Sequence, residues 1–102
     1  MSYQIHWTEE AEKSFNNNVE YLSQTWDQAT IVNFLDRVDK VSYNIGKNPD
    51  IYPVFNKEER VHRCVVNRHI TLFYRVSDKD HIDFLTFWNT HRDPNDLTLG
   101  KV

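Results

Sequence analysis

Residues 61–89, VHRCVVNRHITLFYRVSDKDHIDFLTFWN, decide the fold. In their middle, Ile70, Leu72, Tyr74 and Val76 alternate with His69, Thr71, Phe73 and Arg75, the two-residue period of a strand with one face buried. Val61 to Val66 reads as the strand before it. Ile82, Phe84, Thr86 and Trp88, alternating with Asp83, Leu85, Phe87 and Asn89, read as the strand after it. The connectors NRH and SDKD are too short for a crossover, so the three strands form an antiparallel meander. The last strand is apolar on both faces, which predicts a central position covered on one side.

Upstream, Tyr3, Ile5 and Trp7 alternate with Gln4 and His6 as a further strand. Thr8 then offers an N-cap, and Glu9, Glu10 and Glu12 set negative charge against the amino end of a helix. Ala11, Phe15, Val19, Leu22 and Trp26 recur at helical spacing and predict the buried stripe. TWDQ at 25–28 reads as a break, with Thr25 or Asp27 capping a second helix. Its stripe is Ile31, Phe34 or Leu35, Val38, Val41 and Ile45, ended by Gly46 and Pro49. Helices joined by so short a turn fold back as an antiparallel pair. NPDIYPVF at 48–55 reads as a constrained loop, with Ile51, Tyr52 and Phe55 plugging the edge of the core. The order β-α-α-β-β-β predicts an α+β fold: an antiparallel helical hairpin on a four-stranded, mainly antiparallel sheet, within one domain spanning 1–102.

Composition narrows the chemistry. Cys64 is the only cysteine, so an internal disulfide is ruled out, and its valine neighbours point to a buried, inert thiol. The histidines at 62, 69, 81 and 91 lack the spacing of a metal site, and two isolated glycines build no phosphate-cradling loop. No metal and no cofactor are expected. MSYQIHW lacks the basic start and apolar core of a signal peptide, and no apolar run approaches the ~18–20 residues of a membrane span. A cytoplasmic protein without a membrane partner is expected.

Charge is uneven. Residues 1–50 carry four Lys/Arg against eight Asp/Glu, whereas residues 60–77 carry four Arg and no acid. An acidic half followed by a basic block predicts a two-faced molecule whose second half meets something anionic; the plainer alternative is two solvated faces. Cleaving RNA through its own 2′-OH needs a base, an acid and cations for the developing charge. His91, Arg92, Arg75, Arg63 and Arg68 supply these types if the sheet gathers them. Otherwise Arg75 solvates an exposed sheet face and pairs with Asp83 or a helix Glu. Within WNTHRDP at 88–94, Asp93 and Pro94 suit the N-cap and first position of a short helix, which leaves His91 and Arg92 as strand-end residues.

The element order, with KNPDIYP after the second helix, HRC at 62–64, LFYRV at 72–76 and the terminal HRDP, resembles the RelE/ParE superfamily of toxins from type II toxin–antitoxin (plasmid stabilisation) modules over nearly the whole chain. The resemblance implies one of two mechanisms on one fold. RelE-like members are ribosome-dependent mRNA endonucleases, which would make His91, Arg75 and Arg92 catalytic and the ribosome and mRNA the partners. ParE-like members inhibit DNA gyrase by binding, which would make Arg63, Arg68, Arg75, His91 and Arg92 a target-binding surface. Both imply neutralisation by a cognate antitoxin. Three features favour the ParE-like branch: the acidic net charge of −3, the likeness of NRHITLFYRV and SQTWDQATIVNF to ParE-like sequences, and Thr71 where cleaving relatives carry an Arg.

Overall fold

A computed structural model describes residues 3–25, 27–77 and 80–90. Strand β1 (Gln4–Trp7) leads into α1 (Glu9–Thr25) and α2 (Gln28–Lys47), followed by β2 (Val54–Asn56), β3 (Val61–Asn67), β4 (Ile70–Ser77) and β5 (His81–Asn89). The sheet order is β1-β5-β4-β3-β2. The meander β3-β4-β5 is antiparallel, β2 adds antiparallel to β3, and β1 lies parallel to β5. The α+β fold and its helical hairpin are as the sequence indicates. The sheet gains a fifth strand, because Val54–Asn56 of the expected loop pairs with β3. Three residues show too little alternation to announce a strand.

Both helices pack on one face of the sheet. Leu22, Phe34, Val38, Val41 and Ile45 meet Leu72, Tyr74, Ile82, Phe84 and Phe87 in a continuous apolar core. Trp7, Phe15, Phe84 and Phe87 form an aromatic cluster with centroid separations of 5.1 to 6.2 Å. Between the two residues proposed for α2, Phe34 enters the core and Leu35 stays 39% exposed. The cap is Asp27, whose Oδ1 accepts from the Thr30 amide at 2.9 Å and the Thr30 hydroxyl at 2.7 Å. These bonds hold the Asp27 carboxyl below its usual pKa. Gly46 does not stop α2: the helix runs on to Lys47 and is capped by Asn48, while the Gly46 carbonyl accepts the Tyr3 amide at 2.8 Å and ties the chain ahead of β1 to the helix.

Two departures from simple periodicity shape the rest. Phe73 pairs with Thr86 but Tyr74 with Phe84, so Leu85 is an extra residue in β5. The bulge splits the expected face: Ile82, Phe84 and Phe87 point to the helices, whereas Leu85 and Trp88 join Val61 and Phe73 in a second cluster on the other face. In the 48–53 loop only Tyr52 packs against the helix-side core; Ile51 is about half exposed, contrary to the plug expected of it, and the half-exposed Phe55 sets its ring edge-on 4.8 Å from Phe73 on the other face. Polar bonds anchor this loop instead. The Tyr74 hydroxyl donates to the Pro49 carbonyl at 2.7 Å, and His62 Nδ1 donates to the Tyr52 carbonyl at 2.8 Å. No helix among the described residues is long and apolar enough to cross a membrane.

Candidate functional site

Alternation along β3 and β4 places the basic residues. Val61 stands opposite Arg75 and Arg63 opposite Phe73, so Arg63 and Arg75 are diagonal neighbours on the face away from the helices. Arg63 is exposed. Arg75 is largely covered, with Nη2 lying 3.9 Å from Glu59 Oε2 and Asp83 opposite it in register on β5. One acid beside it therefore comes from the turn before β3. Around these two cations the face is apolar, with Val61, Phe73, Leu85 and Trp88 buried and Val65 60% exposed. The sheet face is thus a half-apolar surface carrying two guanidiniums.

Arg68 does not join them. It lies in the β3–β4 turn, where its Nε donates to His69 Nε2 at 3.3 Å. The turn is organised by Asn67, whose Oδ1 accepts from the amides of His69 (2.8 Å) and Ile70 (2.9 Å). The remaining expected site residues, His91 and Arg92, lie outside the described residues, as does the short helix expected at 93–97. The described β5 ends at Asn89 beside Ile70, and the Thr90 amide donates to the His69 carbonyl at 2.8 Å.

The groups with acid, base or nucleophile chemistry near β3 and β4 face the other way. His62 is buried on the helix side, its ring stacked 5.1 Å from that of Tyr74, with Nε2 lying 3.8 Å from Asp50 Oδ1. Burial pushes the Tyr74 phenol far above its ordinary pKa, and the loop carbonyl holds its hydroxyl. Burial likewise raises the Cys64 thiol, so the inert reading of that cysteine fits its surroundings. Among the described residues no three His, Cys, Asp or Glu side chains cluster as metal ligands.

Residues of α1 that periodicity passed over organise the free edge of β5. Strand β1 covers this edge only as far as Phe84. Beyond it, the Thr8 hydroxyl contacts the carbonyls of Phe84 (2.8 Å) and Leu85 (3.2 Å) as donor. The Ser14 hydroxyl accepts the Phe87 amide at 2.9 Å, and Asn18 Nδ2 donates to the Phe87 carbonyl at 2.8 Å. Helix side chains thus take the place of a longer neighbouring strand. The signal was present: Ala11, Ser14, Asn18 and Leu22 also form a helical stripe, one polar in its middle.

A family model described as "ParE toxin of type II toxin-antitoxin system, parDE" matches residues 5–94. No curated protein matches the chain in sequence. Among solved structures, a chain of the chromosomal ParDE system of P. aeruginosa is similar with TM-score 0.70 at 10% identity, covering 86% of this chain and 96% of that one. A YoeB/ParE toxin from Agrobacterium tumefaciens is similar with TM-score 0.60 at 13% identity, covering 84% and 96%. A copper-bound mutant toxin from Helicobacter pylori is similar with TM-score 0.58 at 17% identity, covering 87% and 96%. At these identities the likeness is one of fold.

Proposed function

We propose that this chain, which belongs to the ParE toxin family of type II toxin–antitoxin systems, inhibits DNA gyrase by binding it, with no bond-breaking step of its own. The observation that carries this reading is the pair Arg63 and Arg75 on the second sheet face, with apolar Val65 exposed beside them. Cations on a rigid, partly apolar sheet suit docking on a protein that handles DNA. The same face offers poor support for RNA cleavage: His62 and Tyr74 are turned to the helices, and Thr71, opposite Trp88, supplies no cation. His91 and Arg92 complete the proposed target-binding set, from which the position of Arg68 beside α2 removes it.

The proposed cognate antitoxin covers the outer side of the helices and a sheet edge. On α2, Val32 and Tyr43 lie opposite the buried stripe and are more than half exposed, with Leu35 on one flank. An amphipathic helix fits such a stripe. At the sheet margin, Val54 and Phe55 of edge strand β2 are exposed, a template for strand addition.

Brief induction of the chain alone in bacteria, with parallel thymidine and methionine pulse labels, tests the target. DNA synthesis falling first, with a DNA-damage response, is expected. The paired change Arg75→Ala with Arg92→Ala is expected to abolish the arrest while the protein stays folded. Methionine incorporation stopping within minutes, with thymidine incorporation intact, would overturn the gyrase reading in favour of a ribosome-dependent mRNA endonuclease with His91, Arg75 and Arg92 at its active site.

A further inference from the structure

A second basic site lies on the helix side of the molecule, away from the Arg63–Arg75 face. A cavity of about 420 Å³ opens between the first half of α2 and the β3–β4 turn. Arg37 and Asn33 line it from the helix, Arg68 and His69 from the turn, and Phe34 and Val66 give it an apolar floor. No acid lines it among the described residues. Both guanidiniums are held in place. Arg37 Nε donates to the Val66 carbonyl at 3.2 Å, and Arg68 Nε donates to His69 in a turn already fixed by Asn67. Two cations from distant parts of the chain, anchored beside an apolar floor, form a ready-made receptor for an oxyanion attached to something apolar.

We propose that this cavity binds an Asp or Glu side chain, adjacent to an apolar residue, of the antitoxin segment that covers α2. The identity of the occupant rests on the antitoxin reading above; the carboxylate specificity rests on the cavity. Position favours a peptide, since Arg37 and Asn33 lie on the flank of α2 between the buried stripe and the exposed Val32 and Tyr43, with Leu35 on the opposite flank. A chain laid over Val32, Tyr43 and the Asn33 flank brings its neighbouring side chains to the mouth of the cavity. Charge disfavours nucleic acid. Asp27, Asp36 and Asp39 lie along the same helix, and Lys40 is held 3.1 Å from Asp36. A backbone of successive phosphates would meet these acids, whereas a single carboxylate would not.

Acetyl-Leu-Glu-amide, with acetyl-Leu-Gln-amide as control, tests the specificity on the whole chain labelled at its arginine Nε–H groups for NMR. The Glu probe is expected to give saturable shifts at Arg37 and Arg68, and the Gln probe to bind at least about tenfold more weakly. Arg68→Gln, in an exposed turn, is expected to weaken the Glu probe similarly while leaving the rest of the spectrum native, and Arg37→Lys to restore only part of the affinity lost in Arg37→Gln. Equal binding of the two probes overturns the proposal. So does inorganic phosphate binding as tightly as the Glu probe, which would mark a simple ion site, or a short single-stranded oligonucleotide saturating the same two signals ahead of the peptide. If the probes behave as expected but the chain forms no complex with the product of a neighbouring gene, the antitoxin reading fails while the carboxylate site stands.

Discussion

The two faces of the sheet are built from the same three long strands yet are stabilised differently. On the helix face, Leu72, Tyr74, Ile82, Phe84 and Phe87 are sealed by α1 and α2 into one core of fifteen buried residues among those described. The second face has a cluster of four, Val61, Phe73, Leu85 and Trp88, bordered by Arg63, Val65 and Arg75. The bulge at Leu85 sets which residues build it: under strict alternation Phe87 would face this side and Trp88 the helices, and the extra residue exchanges them. The contrast separates a face committed to folding from one that keeps charge and apolar surface together, as a binding surface requires.

Replacing Leu72, fully buried at the centre of the helix face, is the strongest way to test that difference. Leu72→Ala is expected to cost about 2–5 kcal/mol, since the packed helices limit collapse around the void. Leu85→Ala is expected to lie near the bottom of that range, about 2 kcal/mol, because its small cluster can relax. Urea unfolding of the two variants checks both. Equal losses would mean that the second face is as much a core as the first.

A more local loss, no larger than that of Leu72→Ala, is expected from Asn18→Ala. The Phe87 carbonyl would lose the donor that stands in for a neighbouring strand, at a cost of about 1–3 kcal/mol. Amide hydrogen exchange should localise the damage to the outer half of β5, because Ser14 still holds the Phe87 amide. Exchange rising uniformly across the domain would mean that Asn18 acts on helix packing instead.

These variants also mark what the sequence made readable. Ile70, Leu72, Tyr74 and Val76 alternate cleanly, so β4 and the face taken by Arg75 follow from period alone, whereas the shared face of Arg63 and Arg75 depends on the register of β3 against β4. Asp27, Thr8 and the apolar stripes likewise announce the helices, because caps and burial periodicity are local. The bulge was hidden because DFLTFW is apolar whichever way each side chain points. The stripe holding Ser14 and Asn18 is visible, but its partner strand is not, because Phe87 lies 73 and 69 residues away in sequence. Arg68 was grouped with Arg63 by proximity in sequence, yet the turn places it beside Arg37 of α2, which no local pattern connects to it.

The smallest expected change in stability comes from Arg63→Ala. The side chain is exposed on the second face, so its loss should shift unfolding by no more than about 0.5 kcal/mol. If that face exists for a partner, the same substitution should reduce growth arrest far more than its effect on folding explains, and Arg63→Lys should restore part of the effect through charge alone. Toxicity assayed beside a urea melt separates the two contributions. A folded, fully toxic Arg63→Ala would remove this arginine from the binding surface and leave Arg75, held between Glu59 and Asp83, as a residue that neutralises its own neighbours.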